Sequence, residues 1–170
     1  TTLRVGGPAQ YWVEPRNEAS FAEIICYCRR ENLPLFVIGR GSNLLVRDGG
    51  IRGVVVHPSG GEFDRVDVSG SEITAGVGVK LKQVAYAAKA AGLGGLEWME
   101  GIPGEVGGGL RMNAGVMGSQ TFERITRIRY LDDEGHVHTK TPAELDVKYR
   151  HVPSLDNNYA VSAVFRGTPS

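Results

Sequence analysis

Two glycine-rich loops and one arginine are the residues of this chain best suited to chemistry on a ligand. The first loop, Gly39-Arg40-Gly41-Ser42-Asn43, lies between two apolar runs. A strand that stops at Gly-x-Gly-Ser-Asn presents consecutive backbone N–H groups with little side-chain obstruction, and such a concavity binds anionic oxygens. Ser42 and Asn43 can add side-chain donors. The same residues also suit a tight β-turn, and the loop alone does not separate the two readings. The second loop is Gly101-Ile102-Pro103-Gly104-Glu105-Val106-Gly107-Gly108-Gly109-Leu110-Arg111-Met112-Asn113-Ala114-Gly115. Five glycines within Gly101–Gly109 make a poor helix and a poor strand. Pro103 stiffens the approach, and the small residues let backbone lie directly against a flat or extended ligand. Close helix packing is the competing reading, and it accounts poorly for so many glycines together. Arg150, after Tyr149, reads in isolation as a surface residue.

Other chemistries find no support. The nearest approach to GxGxxG, Gly39 to Leu44, lacks the third glycine and leads into an apolar strand-like run, so the dinucleotide fingerprint of the doubly wound fold is missing. There is no Gly-Lys pair for a P-loop, and neither GxSxG nor HExxH occurs. His136 and His138 alternate on one strand face without Cys or carboxylate partners at ligand spacing, so no metal site is expected. Arg124, Arg127 and Arg129 read as the solvated side of a strand whose other face carries Ile128 and Tyr130.

Composition agrees with an ordinary globular protein. Lys+Arg and Asp+Glu both number 19, which leaves no basic excess for nucleic acid. Apolar runs such as Val54-Val55-Val56 are too short to span a membrane, and no secretory signal opens the chain. Because it starts Thr1-Thr2 without Met, a short leader is expected to precede it. Cys26 and Cys28 stand two apart in a helical segment and point to different faces, so no bridge is expected. Free thiols of this kind suit a reducing cytoplasm. Glycine is the outlier: 24 of 170 residues, roughly twice its usual share of about 7%, and clustered between patterned segments.

Those patterned segments must position the loops. Tyr11 to Glu14 reads as a strand, and Asn17 as the N-cap of a helix from Glu18 to about Glu31 with the stripe Phe21, Ile24, Ile25, Cys28. A short buried strand, Leu35 to Ile38, leads into the first loop, and apolar runs follow at Leu44 to Val46 and Val54 to Val56. This first unit is too small to be comfortable alone. A second begins near Pro58, with a hairpin of Phe63 to Val68 and Glu72 to Ala75 around Ser69-Gly70-Ser71. A helix from Leu81 to Ala91 follows, with Leu81, Val84, Ala85 and Ala88 on one face and Gly92 as its stop. Beyond the glycine-rich tract, strands are expected at Glu123 to Leu131, His136 to Thr141 and Tyr159 to Phe165. Without regular βαβ alternation, the fold class is α+β in two lobes, residues 1–57 and 58–170.

The opening Thr2-Leu3-Arg4-Val5-Gly6-Gly7-Pro8-Ala9, the loop GRGSNLLV, the tract GIPGEVGGGLRMNAG and the pair Tyr149-Arg150 occur in the order and spacing of one family. Through them the chain resembles the flavin-dependent UDP-N-acetylenolpyruvoylglucosamine reductases (MurB). The first loop alone indicates only the wider two-lobe FAD-binding fold of the vanillyl-alcohol-oxidase (PCMH) type. The resemblance implies dissociable FAD, since neither His nor Cys stands in Gly39–Asn43 to attach it covalently. It implies that Gly39, Arg40, Gly41, Ser42 and Asn43 hold the FAD pyrophosphate. Gly101, Ile102, Pro103, Gly104, Gly107, Gly108, Asn113 and Gly115 would line the rest of the cofactor, and backbone around Val161 would meet the flavin ring.

Arg150 resembles the family's active-site arginine. There hydride passes from NADPH to the flavin and on to the vinyl carbon of a UDP-sugar enolpyruvyl ether. A bidentate guanidinium can stabilise the charge that develops on the substrate's carboxylate. The implied setting is peptidoglycan precursor synthesis in a bacterial cytoplasm, with no membrane or nucleic-acid partner. Two departures stand out. The family's YR-x-S reads Tyr149-Arg150-His151-Val152, and its third, substrate-binding domain with a catalytic Ser and carboxylate is not found in these residues. The chain is therefore expected to be an FAD-binding portion that by itself binds FAD weakly or partially and does not turn over. The rivals are an FAD oxidase of the same wider fold and a non-catalytic nucleotide-binding module.

Overall fold

The computed structural model describes all 170 residues. The chain opens with β1 (Ala9–Val13), α1 (Glu18–Arg30), β2 (Leu35–Val37) and β3 (Ile51–Val56). These strands form a parallel sheet in the order β1-β3-β2. Parallel strands need a crossover connection, and α1 supplies it between β1 and β2, which flank β3. Asn17 starts α1 as its pattern predicts, its side-chain oxygen accepting from the Ser20 N–H at 2.8 Å. Phe21, Ile25 and Cys28 bury one stripe of the helix, with Ile24 packed partly against the core.

The second sheet has five antiparallel strands. In chain order they are β4 (Val66–Ser69) and β5 (Glu72–Gly76), then β9 (Ile125–Leu131), β10 (Val137–Lys140) and β11 (Tyr159–Arg166). Their spatial order is β10-β9-β11-β5-β4, with β11 at the centre. Between β5 and β9 run α2 (Leu81–Ala90), β6 (Leu93–Gly94), α3 (Val106–Arg111), and the small hairpin β7 (Gly115–Val116) and β8 (Ser119–Gln120). A last strand, β12 (Thr168–Pro169), pairs with β6. Leu81, Val84, Ala85 and Ala88 form the buried face of α2, and Gly92 ends it at φ +66°. No helix is long and apolar enough to cross a membrane.

One hydrophobic cluster joins the two sheets, from Phe21 and Val56 to Ile73, Ile128 and Phe165. Phe21 is fully buried, with Phe63 edge-on at 6.2 Å and Tyr159 at 5.8 Å. Burying such a ring stabilises by about 3 kcal/mol. At the rim, Glu18 of α1 accepts two hydrogen bonds from Arg129 of β9, at 2.6 and 2.9 Å. Packing and charge thus hold the lobes in one relation, which fixes the loops at their junction.

Four expectations are corrected. Leu44 to Val46 is not a strand: it pairs with nothing, and Leu45 is 71% exposed. β2 is an edge strand and is not buried, Phe36 and Val37 being almost half exposed. Phe63 sits in a short 3-10 turn, Gly61–Asp64, so the hairpin begins only at Val66. Arg127 and Arg129 are not merely solvated; Arg127 pairs with Glu72 at 3.2 Å and Arg129 with Glu18.

Candidate functional site

The first glycine loop leaves the C-terminal end of β2, the end at which open parallel sheets present ligand-binding loops. Gly41 is buried at φ +65°, a conformation that favours glycine, and its carbonyl accepts from the Thr2 N–H at 3.2 Å. The chain's opening segment is strapped along this loop and its continuation. Gly7 N–H donates to the Arg47 carbonyl at 2.8 Å, and a Cβ on Gly7 would stand 2.1 Å from the Asp48 carbonyl oxygen. Close backbone contact therefore explains the Gly-Gly pair that opens the sequence.

The second loop reaches the first. Ser42 Oγ donates to the Pro103 carbonyl at 2.6 Å, and Gly104 has only that Ser42 oxygen within 4 Å of where a Cβ would stand. Gly101 and Gly108 face open space. The two loops, one from each lobe, thus form a single cradle of bare backbone, which fits an extended anionic group such as a dinucleotide's diphosphate. Arg40 is exposed at its edge, as are Ser42, Asn43 and Pro103, while Ile102 is half-buried against the core.

The tract beyond Glu105 is a helix, contrary to the expectation from its glycines. Gly107 N–H donates to the Val77 carbonyl at 3.0 Å and Val106 N–H to the Val79 carbonyl at 2.8 Å, which pin the first turn of α3 to the chain after β5. A Cβ on Gly107 would lie 3.1 Å from Val77 Cβ, and one on Gly109 3.2 Å from the Leu81 methyls. Two of the three consecutive glycines are there for close packing, and only Gly108 turns outward. Val161 joins the same patch: it is buried in β11 and its carbonyl accepts from Val77 N–H at 3.2 Å. Beside it, a cavity of about 200 Å³ opens between the lobes, with Glu18, Arg65, Arg129, Val161 and Ser162 in its wall.

Asn113, Gly115 and Arg150 form a second group, separated from the cradle by α3, six residues or about 9 Å long. Asn113 is buried at φ +40° with its amide committed inside the chain. It donates to Gln120 Oε1 at 2.7 Å and to the Lys148 carbonyl at 3.1 Å, and accepts from Phe122 N–H at 3.1 Å. Its part in any ligand site is to hold the neighbouring backbone. Arg150, at φ +57°, donates one guanidinium N–H to the Gly115 carbonyl at 3.0 Å and lies over the Tyr149 ring at 5.7 Å. Both side chains are exposed, next to a depression of about 400 Å³ lined by Asn113, Gln120, Lys148 and Tyr149.

Glu105 went unassigned in the sequence, although it stands inside the tract. It is 9% exposed, and its Oε2 lies 2.8 Å from where a Cβ on Gly39 would be. Burial raises its pKa, against the opposing pull of His57, Arg40 and Lys80. An acidic residue inside a glycine-rich tract was the available signal. His136 and His138 also need correction, for a carboxylate does partner them: Asp132 Oδ2 lies 2.7 Å from His138 Nε2 and 3.6 Å from His136 Nδ1.

Two α+β lobes with paired glycine loops at their junction define a cofactor-binding domain. The family model of the FAD binding domain matches residues 9–141, and the chain belongs to that family. It is 43% identical over 99% of its length to UDP-N-acetylenolpyruvoylglucosamine reductase of Methylorubrum extorquens, covering 54% of that protein. Among solved structures, MurB from Thermus caldophilus superposes with a TM-score of 0.81 at 28% identity, over 93% of this chain and 55% of that one. Physcomitrella patens BBE-like 1 superposes at 0.68 with 17% identity, over 98% and 39%, a likeness of fold alone. The α+β two-lobe FAD-binding fold expected from the sequence is the one observed. The chain spans about half the length of the curated relatives it matches.

Proposed function

We propose that this chain is the FAD-binding portion of a UDP-N-acetylenolpyruvoylglucosamine reductase, with lobes at residues 1–57 and 58–170. Such an enzyme would use NADPH to reduce a UDP-sugar enolpyruvyl ether for peptidoglycan synthesis in a bacterial cytoplasm. The observation that carries this reading is 43% identity along 99% of the chain, joined to two glycine loops that meet in one cradle. FAD, when bound, supplies a centre that takes up hydride and returns it. The chain's own residues do the rest. Backbone N–H groups of Gly39, Gly41 and Gly104 would hold the diphosphate, and the Ser42–Pro103 hydrogen bond sets the spacing of the two loops. Outward-facing Gly108 would let the cofactor lie against α3. Arg150 has one N–H occupied by Gly115, which orients the fork and leaves its other donors for the substrate carboxylate. As charge grows on that carboxylate, a preorganised cation stabilises it without reorganising.

The test is a steady-state assay on the full-length gene product with FAD and the enolpyruvyl UDP-sugar. NADPH consumption that requires the UDP-sugar supports the proposal. Oxygen consumption with alcohols or sugars, and no oxidation of NADPH, would replace it with the oxidase reading.

A further inference from the structure

The cradle holds one residue that an anion site should not. We infer that Glu105 couples cofactor binding to proton uptake: its carboxyl takes a proton from solvent when a diphosphate settles between Gly39–Asn43 and Gly101–Gly104. The inference rests on the FAD reading above and deepens it.

Glu105 precedes α3, yet it caps no backbone N–H of that helix. None of the chain's ion pairs or side-chain hydrogen bonds engages its carboxylate. It lies in the wall of the cradle, with Oε2 against the backbone of Gly39 and more than nine-tenths of the residue buried. Four charged or titratable groups on neighbouring segments act on it. They are Arg40 on the first loop, His57 after β3, Asp64 at the end of the 3-10 turn, and Lys80 before α2. None bonds it, and His57 is turned away at one nitrogen, Nδ1–H donating to the Ile38 carbonyl at 3.0 Å.

A dinucleotide diphosphate keeps its negative charge across the neutral range. Held against Gly39, it would share a poorly solvated space with the Glu105 carboxylate, and like charges there raise the carboxyl's pKa further. Burial has already moved that pKa upward in the free chain. The step balances simply: one carboxylate, one solvent proton and one ligand give a neutral carboxyl beside the bound diphosphate. The neutral acid gains an O–H that can donate to a phosphate oxygen, so the liability becomes a contact. Glutamine, with the same shape and no charge, should reproduce the bound state at every pH.

The experiment is FAD titration of the full-length gene product by flavin fluorescence, wild type beside Glu105→Gln, between about pH 5.5 and 8.5. Wild-type Kd should rise with pH, by up to about tenfold per unit where uptake is a full proton. E105Q should bind more tightly than wild type at the alkaline end and show a shallower profile. Parallel profiles for the two proteins, or weaker binding by E105Q throughout, would overturn the inference and leave FAD binding intact. Binding by neither protein would overturn the FAD reading, and the inference with it. Calorimetry of the wild type in two buffers of different ionisation heat counts protons directly, so the idea stays refutable if E105Q does not fold. A count of zero overturns it.

Discussion

Replacing Asn113 by Ala should be among the most destabilising single changes in the glycine-rich tract, because the amide is used from both ends. Its oxygen accepts from the buried Phe122 N–H at 3.1 Å, and its nitrogen donates to Gln120 Oε1 and to the Lys148 carbonyl. Truncation leaves Phe122 N–H without a partner, which costs about 1–3 kcal/mol. The two lost donations cost about 0.5–1 kcal/mol each, since Gln120 and Lys148 can turn to water. At φ +40°, Ala is strained where Asn is tolerated, adding about 1 kcal/mol. The sum is roughly 3–6 kcal/mol. Gln120→Ala, at the half-buried end of the shortest of these bonds, should cost only about 1 kcal/mol. Urea denaturation of the two variants measures both values. Equal losses, or an Asn113→Ala loss under about 1 kcal/mol, would refute the view that Asn113 ties the tract to the Lys148 segment.

Adjacent glycines in α3 should behave oppositely. Gly107→Val meets Val77 Cβ at 3.1 Å and should lower stability by about 1–3 kcal/mol in thermal melts. Gly108→Ala meets nothing within 4 Å, so it should fold at least as well as wild type yet weaken FAD binding in a fluorescence titration. Asp132 should titrate at about 2 by carboxyl NMR, held down chiefly by its hydrogen bond with His138 and then by the backbone N–H groups of His136 and Glu134. A depressed carboxylate stabilises the fold above its ordinary pKa of 3.8 and loses that stabilisation as pH falls through 2. Asp132→Asn should therefore flatten the acid limb of the stability profile in that window. Thiol titration of the native protein should find one fast cysteine. Cys26 is exposed, whereas Cys28 is buried with its pKa raised by desolvation.

Where local pattern and tertiary packing ask for the same thing, the elements were legible. Asn17 capping α1, the α2 stripe ending at Gly92, and β9 and β10 around Asp132–Gly135 all appear within a residue or two of their expected places. α3 was not legible, because glycine propensity argues against a helix while two backbone hydrogen bonds and close packing on Val77 and Leu81 impose one. Leu44 to Val46 misled in the other direction: three apolar residues suggest a strand, but no neighbouring strand is available to pair with them. The cradle was readable as two separate loops. Their union through Ser42 and Pro103, 61 residues apart, depends on how the lobes pack and leaves no trace in either local pattern. Glu105 was visible yet silent, since its position against Gly39 emerges only when the loops meet.

The most direct measurement is the visible spectrum of the purified full-length gene product after incubation with FAD and desalting. An FAD-binding cradle at the lobe junction predicts a retained flavin band near one cofactor per chain, bleached on adding NADPH. It also predicts loss of that band in a Gly104→Val variant whose melting temperature is unchanged. A colourless wild-type protein, or a Gly104→Val variant that keeps its flavin, would contradict it.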